Sequence, residues 1–311
     1  MFKQKLVVGT RGSALALWQT EHVIQRLKTA APALAIEVKT ITTEGDVKRD
    51  RPLSQVGGKG LFVKEIEQAL LTGEIDLAVH SLKDMPTGQP QGLTIGAVLE
   101  RADPRDALVT QEVGGGLAAL AAEARVGTSS LRRRAQLLAA RPELQVFELR
   151  GNVDTRLRKL RAGEYDAVVL AAAGLIRLGY ANAIGQTLPV DVMLPAAGQG
   201  ALCVEVRVGD EATAAMTAVL DHPRTSQATQ AERALLRRLE GGCQVPVGAY
   251  AEVADDQVHL RGLVASLDGT RLVRDEITGP AAAGGQLGTE LAEHLLAAGA
   301  DAILEEIRRV S

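Results

Sequence analysis

Residues 124–179 read ARVGTSSLRRRAQLLAARPELQVFELRGNVDTRLRKLRAGEYDAVVLAAAGLIRLG. Three short apolar runs, ARVGT (124–128), QVFELR (145–150) and DAVVLAA (166–172), each lead into helical spacing: LRRRAQLLAA (131–140), TRLRKLRAG (155–163) and LIRLG (175–179). Strand–helix alternation of this kind predicts an α/β fold with mixed, mostly parallel sheets, because parallel strands need a crossover long enough to hold a helix. The start of the chain repeats the grammar. KLVVGT (5–10), ALAIEVKTI (33–41) and DLAVHSL (76–82) read as strands, ALALWQTEHVIQRLK (14–28) and LFVKEIEQALL (61–71) as helices. Two echoes join the halves. Val8-Gly9-Thr10 and Ser13 resemble Val126-Gly127-Thr128 and Ser130, and Gly73-Glu74-Ile75-Asp76 resembles Gly163-Glu164-Tyr165-Asp166. Two similar lobes facing a cleft would explain both.

Beyond residue 200 the pattern changes. ALCVEVRVG (201–209) reads as a strand after the Gly-rich turn PAAGQG (195–200), and QATQAERALLRRLEGG (227–242) as a helix. AYAEV (249–253), VHLRGLVAS (258–266) and a final helix LGTELAEHLLAAG (287–299) make a small α+β unit, with His222-Pro223 as its boundary. The expected domains are 1–100 with 201–219, then 101–200, then 220–311.

Aromatic residues are only 2 % of the 311, so the core must be built from Ala, Leu, Val and Ile. No apolar run approaches the ~20 residues of a spanning helix, and MFKQKLVVGT enters a strand without a signal-peptide pattern. Two cysteines without Cys-x-x-Cys spacing argue against a disulfide scaffold or a zinc site. His22, His80, His222, His259 and His294 form no ligand spacing, so no metal is expected. A cytoplasmic protein follows.

The net charge of −3 hides an asymmetry: residues 125–177 hold eleven basic residues, ten of them Arg, against five acidic ones. Nucleic acid is not the expected partner, because only Phe147 and Tyr165 could stack bases in that window. In open α/β sheets ligands bind outside the carboxyl ends of strands. Arg11 and Ser13 follow the first strand, and Thr128, Ser129, Ser130, Arg132 and Arg133 follow its counterpart. Arg150 ends QVFELR, Arg156 opens the next helix, and Arg177 follows DAVVLAAAG. Arginines at a helix start oppose the macrodipole, and a bound anion would reverse that penalty. One such case could be a solvated basic face; four are harder to explain that way. A nucleotide is not indicated, since Gly57-Gly58-Lys59-Gly60 lacks the rest of a P-loop. Small carboxylates fit better. On a helix neighbouring arginines diverge by about 100°, so Arg134 is expected to point away.

Asp84, in HSLKDMP (80–86), could be a turn residue, or a carboxylate that stabilises positive charge or moves a proton. Its echo in the second half is Gly174, so packing alone does not demand an acid there. Cys203 lies in an apolar run and reads as a buried small hydrophobe. Cys243, after Gly241-Gly242, is a candidate nucleophile or attachment point.

VGTRGSALALWQ (8–19), GDVKRDRPLSQVGGKGLFVKEIE (45–67), AVHSLKDMP (78–86), ERADPRDALV (100–109), VGTSSLRRRAQL (126–137), LRGNVDTRL (149–157), LPAAGQGALCVE (194–205) and EGGCQVPVGAY (240–250) stand in one order along the chain. In that order they resemble the porphobilinogen deaminase family. The resemblance implies three domains, two of them like the lobes of type 2 periplasmic binding proteins. It also implies a dipyrromethane cofactor held through a thioether by Cys243. Four porphobilinogens are then added stepwise, each losing ammonia, before water frees hydroxymethylbilane. It places catalysis on Asp84. Primer binding falls to Ser81, Lys83, Thr128, Ser129, Ser130, Arg132, Arg133, Arg150 and Gln199, and substrate binding to Arg11, Ser13, Lys59, Arg156 and Arg177. Six rings with two acid groups each would bring twelve carboxylates into one cleft, which accounts for an arginine-rich interior in an acidic protein. The chain departs from many members in having Gln55 for lysine and Leu99 for a cysteine. The segment from about Thr42 to Gly60 is expected to act as a mobile lid, and the family suggests a monomer. Two other readings compete: a non-catalytic anion-binding module, which needs no Cys243, and a cysteine-dependent hydrolase, which needs that thiol free.

Overall fold

A computed structural model describes residues 3–47, 63–111, 114–240 and 245–310. Gln55, Lys59 and Cys243, and residues 48–60 of the expected lid, lie outside the described residues. Three sheets organise the chain. The first has the order β2-β1-β3-β10-β4, from β1 (Lys5–Thr10), β2 (Ala35–Thr40), β3 (Leu77–Ser81), β4 (Leu93–Val98) and β10 (Leu202–Arg207). The second has the order β7-β6-β8-β5-β9, from β5 (Asp106–Thr110), β6 (Arg125–Gly127), β7 (Gln145–Phe147), β8 (Ala167–Ala171) and β9 (Gln186–Thr187).

The two lobes are built alike. In each, the first three strands run parallel and the fourth in the order, β10 or β5, runs antiparallel to its neighbours. That strand is in both cases the one that has just crossed from the other lobe. The expected α/β class with mixed, mostly parallel sheets is the one found.

Local chemistry explains the elements. Ser13 caps helix α1 (Ala14–Ala30) by accepting from the Ala16 amide, and Ser130 caps α4 (Leu131–Ala140) through the Arg133 amide. A Cβ on Gly9 would come within 2.2 Å of Ile75, and one on Gly127 within 2.9 Å of Tyr165. The echoed pairs therefore meet in space: each first strand crosses the residue before the echoed aspartate, and only glycine leaves room. Leu, Val, Ile and Ala fill the cores, and Tyr250 is the one aromatic among the buried described residues. Each fully buried Leu, Val or Ile side chain contributes about 1.5–3 kcal/mol.

The third unit packs α8 (Pro223–Arg238), α9 (Gly284–Leu295) and α10 (Asp301–Val310) against the antiparallel sheet β11 (Val247–Ala254), β12 (Gln257–Ala265) and β13 (Leu272–Pro280). Its β12–β13 turn abuts α4, where a Gly269 Cβ would lie 2.4 Å from the Ala135 carbonyl oxygen.

The sequence reading missed β4, β5, β9, β13 and helix α7 (Glu211–Thr217). The helix taken as final is followed, past Gly299 at φ 102°, by α10. Strand β7 stops at Phe147, so Arg150 sits in a loop rather than at a strand end.

Candidate active site

Where the carboxyl ends of β1, β3 and β8 converge, a cavity of about 490 Å³ opens between the lobes. Lobe one contributes Arg11, Ser13, Ser81, Lys83 and Asp84 to its wall. Lobe two contributes Arg133 from α4, Arg150, Arg156 from α5 (Val153–Arg161), and Ala171, Ala173, Gly174 and Arg177 around α6 (Ala172–Arg177). Among the described wall residues six are basic and two, Asp84 and Asp154, acidic, a surplus of four positive charges.

That surplus is costly without an anion. Burial, with Arg133 and Arg150 nearby, pushes the Arg156 guanidinium down to about 10, and burial pushes Arg177 to about 10. Arg156 donates Nε to the Gly151 carbonyl and Arg177 donates Nη2 to the Gly200 carbonyl. The Nη1 of Arg150 is buried and has no partner. Buried donors of this kind are rare.

Asp84 ends a single 3-10 turn, Leu82–Asp84, and is exposed to the cleft. Beside it Lys83 keeps some accessible surface, yet the surrounding protein desolvates its ammonium. Desolvation and the nearby Arg133 prevail over the attraction of Asp84 and bring it down to about 8. The Lys83 Nζ reaches Gln199 Oε1 at 3.5 Å, and Gln19 Nε2 donates to Ser81 Oγ at 2.9 Å.

Behind the wall lies Asp106, fully buried. Its Oδ1 accepts from Arg133 Nε (2.9 Å), Arg133 Nη2 (2.7 Å) and Gln199 Nε2 (2.9 Å), and its Oδ2 from Arg132 Nη1 (2.7 Å). Burial alone would raise its carboxyl; the two guanidinium groups outweigh that and hold it well below the usual carboxylate range. Arg132 also donates to the Leu194 carbonyl, and the divergence that turns Arg134 toward the Val146 carbonyl also takes Arg132 off the cavity wall. Thr128 Oγ1 accepts from the Ser130 amide, Ser129 Oγ donates to the Leu149 carbonyl, and Ser130 is the α4 cap. The structure thus places Arg11, Ser13, Ser81, Lys83, Asp84, Arg133, Arg150, Arg156 and Arg177 on one cavity. Thr128, Ser129, Ser130, Arg132 and Gln199 are not among its lining residues.

Sequence reasoning assigned nothing to Asp106, Arg101 or Glu232. Glu232, fully buried on α8, accepts from Arg101 Nη1 and Nη2, the Gly198 amide and the Ala251 amide. It thereby ties both inter-lobe crossings to the third unit. Both Arg101 and Asp106 lie in the quoted ERADPRDALV, so the motif pointed at them but not at their partners.

A family model described as porphobilinogen deaminase, dipyromethane cofactor binding domain, matches residues 6–215, and one for the C-terminal domain matches residues 226–297. The chain belongs to the porphobilinogen deaminase family. A porphobilinogen deaminase of Geobacter metallireducens is 53% identical over 99% of this chain and 96% of that protein. One of Moorella thermoacetica is 52% identical over 99% and 98%. Among solved structures, the BenM effector binding domain with its effector benzoate aligns at TM-score 0.42 and 16% identity, over 71% of this chain and 91% of that one. The BvgS periplasmic VFT2 domain of Bordetella pertussis aligns at 0.40 and 16%, over 70% and 85%. Among the described residues no helix is long and apolar enough to cross a membrane.

Proposed function

We propose that this member of the porphobilinogen deaminase family condenses four porphobilinogens stepwise on a dipyrromethane primer tethered by Cys243, losing one ammonia at each step, and then releases hydroxymethylbilane by hydrolysis. The observation that carries the reading is the wall itself: four surplus positive charges and an unpartnered buried Arg150 Nη1 surround the exposed carboxylate of Asp84, while the wall's other acid, Asp154, accepts from the Tyr180 hydroxyl. A chain of pyrroles bearing acetate and propionate groups satisfies such donors, and Arg forks match carboxylates in two-point geometry.

When bound, the primer supplies the nucleophilic pyrrole carbon to which the next ring is joined. The protein supplies the rest. Arg133, Arg150, Lys83 and Ser81 would hold the primer's acid groups, and Arg11, Ser13, Arg156, Arg177 and Lys59 those of the arriving ring. Arg132, Gln199, Thr128, Ser129 and Ser130 support them from behind, through Asp106 and the α4 cap. As the C–N bond of the substrate breaks and ammonia leaves, Asp84 faces the positive charge that develops on the pyrrole nitrogen. When the C–C bond forms, the same carboxylate accepts the proton lost from the ring.

Domain limits of 1–100 with 201–219, 101–200 and 220–311 suit the way the three sheets divide the chain. A free thiol reserved for a thioether suits a reducing, cytoplasmic setting, and the family resemblance favours a monomer without nucleic-acid partners. The test is intact mass. Folded wild-type protein should carry a fixed increment for two pyrrole units, and Cys243→Ser should lose it together with activity. An active wild-type protein of unmodified mass would overturn the assignment, and a Cys243 that alkylates freely would favour a hydrolase.

A further inference from the structure

The turn that presents Asp84 is slight. One backbone bond, Met85 N to the Leu82 carbonyl, closes it, and Leu82 N is tied to the Ala201 carbonyl. Pro86 follows and has no N–H, so its carbonyl is its only backbone hydrogen-bonding group. Helix α8 supplies the missing donors. Arg233, buried, donates Nη1 to the Met85 carbonyl (3.3 Å) and Nη2 to the Pro86 carbonyl (2.7 Å). Arg237, one helical turn on, donates Nη2 to the Thr87 carbonyl (2.6 Å). Three successive carbonyls are thus read by two arginines spaced i, i+4 on one helix face. A planar fork holds two neighbouring carbonyls in a fixed geometry, whereas the rotatable donors of an ammonium impose none. Helix α8 ends at Arg238, five residues before Cys243 in sequence, and its Glu232 grips both inter-lobe crossings.

We propose that Arg233, seconded by Arg237, is a positioning residue for the reaction: it fixes the turn that aims Asp84, so that the carboxylate keeps its place relative to the helix leading to Cys243. The inference rests on Asp84 being the catalytic carboxylate.

Steady-state turnover of the primer-loaded enzyme tests it, with primer content followed by intact mass. Arg233→Leu is expected to lower kcat by about tenfold to a hundredfold, the scale of an ångström-sized misplacement, with KM and primer content within about twofold of wild type. Arg237→Leu, which frees one carbonyl, should cost about threefold, and Arg233→Lys should recover only part of the Arg233→Leu loss. Asp84→Glu is measured alongside. If Arg233 acts through Asp84, Arg233→Leu costs less than about twofold in the Asp84→Glu background. If Asp84→Glu is slow and Arg233→Leu costs its full factor there too, the clamp is overturned while the role of Asp84 stands. Wild-type turnover in Asp84→Glu would show that the exact place of the carboxylate does not matter and overturns the clamp, whereas wild-type turnover in Asp84→Asn overturns the carboxylate reading itself. Should Arg233→Leu not fold, Arg233→Lys and Arg237→Leu carry the same comparison.

Discussion

Residues 73–81 of lobe one and 163–171 of lobe two are the same piece of backbone, and the turn at 82–84 and the helix start at 172–174 that follow carry opposite chemistry. Both open with a glycine at φ 77° whose amide caps the preceding helix, through the Leu70 and Leu160 carbonyls. Both then place an aspartate, Asp76 or Asp166, whose carboxylate accepts from the first strand, at the Val7 or Arg125 amide. Each continues as a buried strand, β3 or β8, and ends on the cavity. There the likeness stops: Ser81, Lys83 and Asp84 stand opposite Ala171, Ala173 and Gly174, all six on the same wall. Lobe two keeps its floor small and carries its charge on Arg133, Arg150, Arg156 and Arg177. The backbone decides where a ligand sits. In the proposed reaction the last few side chains decide which lobe reacts and which one holds. A carboxylate facing an arginine wall suits a polyanion that passes through a cationic state.

The sharpest way to break this comparison is to move the acid. Asp84→Asn should keep the fold and lower turnover by about 10²–10⁴-fold; near-wild-type rates would remove Asp84 from the chemistry. The exchange Asp84→Gly with Gly174→Asp should be no better. A Cβ at 174 meets nothing closer than 3.8 Å, so the exchange is sterically permitted, and recovered activity would show that the lobes are interchangeable.

Next in size is the split between two arginines that the sequence treats alike, either of which, changed to Leu, is expected from sequence to block primer assembly or early elongation. Arg132→Leu leaves the buried Asp106 half-paired, so urea unfolding should show a loss of about 3 kcal/mol or more. Arg150→Leu, on the wall, should change stability by less than about 0.5 kcal/mol yet leave the primer unassembled by mass. A stable Arg132→Leu protein would show that the Asp106 cluster is not structural.

Smaller is the titration of Lys83. The folded protein releases that proton near pH 8 and the unfolded chain near 10.5. The burial penalty is therefore constant below pH 8 and relieved between 8 and 10.5, a window in which this group makes stability rise with pH. Amine labelling of primer-free protein should have its midpoint near pH 8, and a primer carboxylate beside it should move that midpoint upward. A midpoint above 10 without primer would show the ammonium to be solvated. The smallest expected change is Gly174→Ala, within about 0.5 kcal/mol.

Much of this was legible from residues alone. Periodicity gave β1, α1, β3, β6, α4, α5 and β8 because their apolar faces repeat at the strand or helix period. The echoes at Gly9 and Gly127 reported a shared close approach that glycine alone permits. β4 and β5 were missed because no helix read from the sequence frames them, whereas β10, which also follows a crossing, is announced by the Gly-rich turn at 195–200. Arg132 and Arg133 could not be told apart either, since 100° of helix turn matters only once the cavity has a direction.

Sequence by itself determined the α/β class, the doubled lobe, the arginine excess and the ordered motifs of the family, because each is carried by local spacing or composition. Tertiary structure decided which charges meet: that Asp106 gathers Arg132, Arg133 and Gln199, that Glu232 binds both crossings, and that Arg233 reaches the carbonyls behind Asp84. These partners lie 26 to 148 residues apart in sequence. A buried charge is defined by the group that neutralises it, and only the folded chain supplies that group.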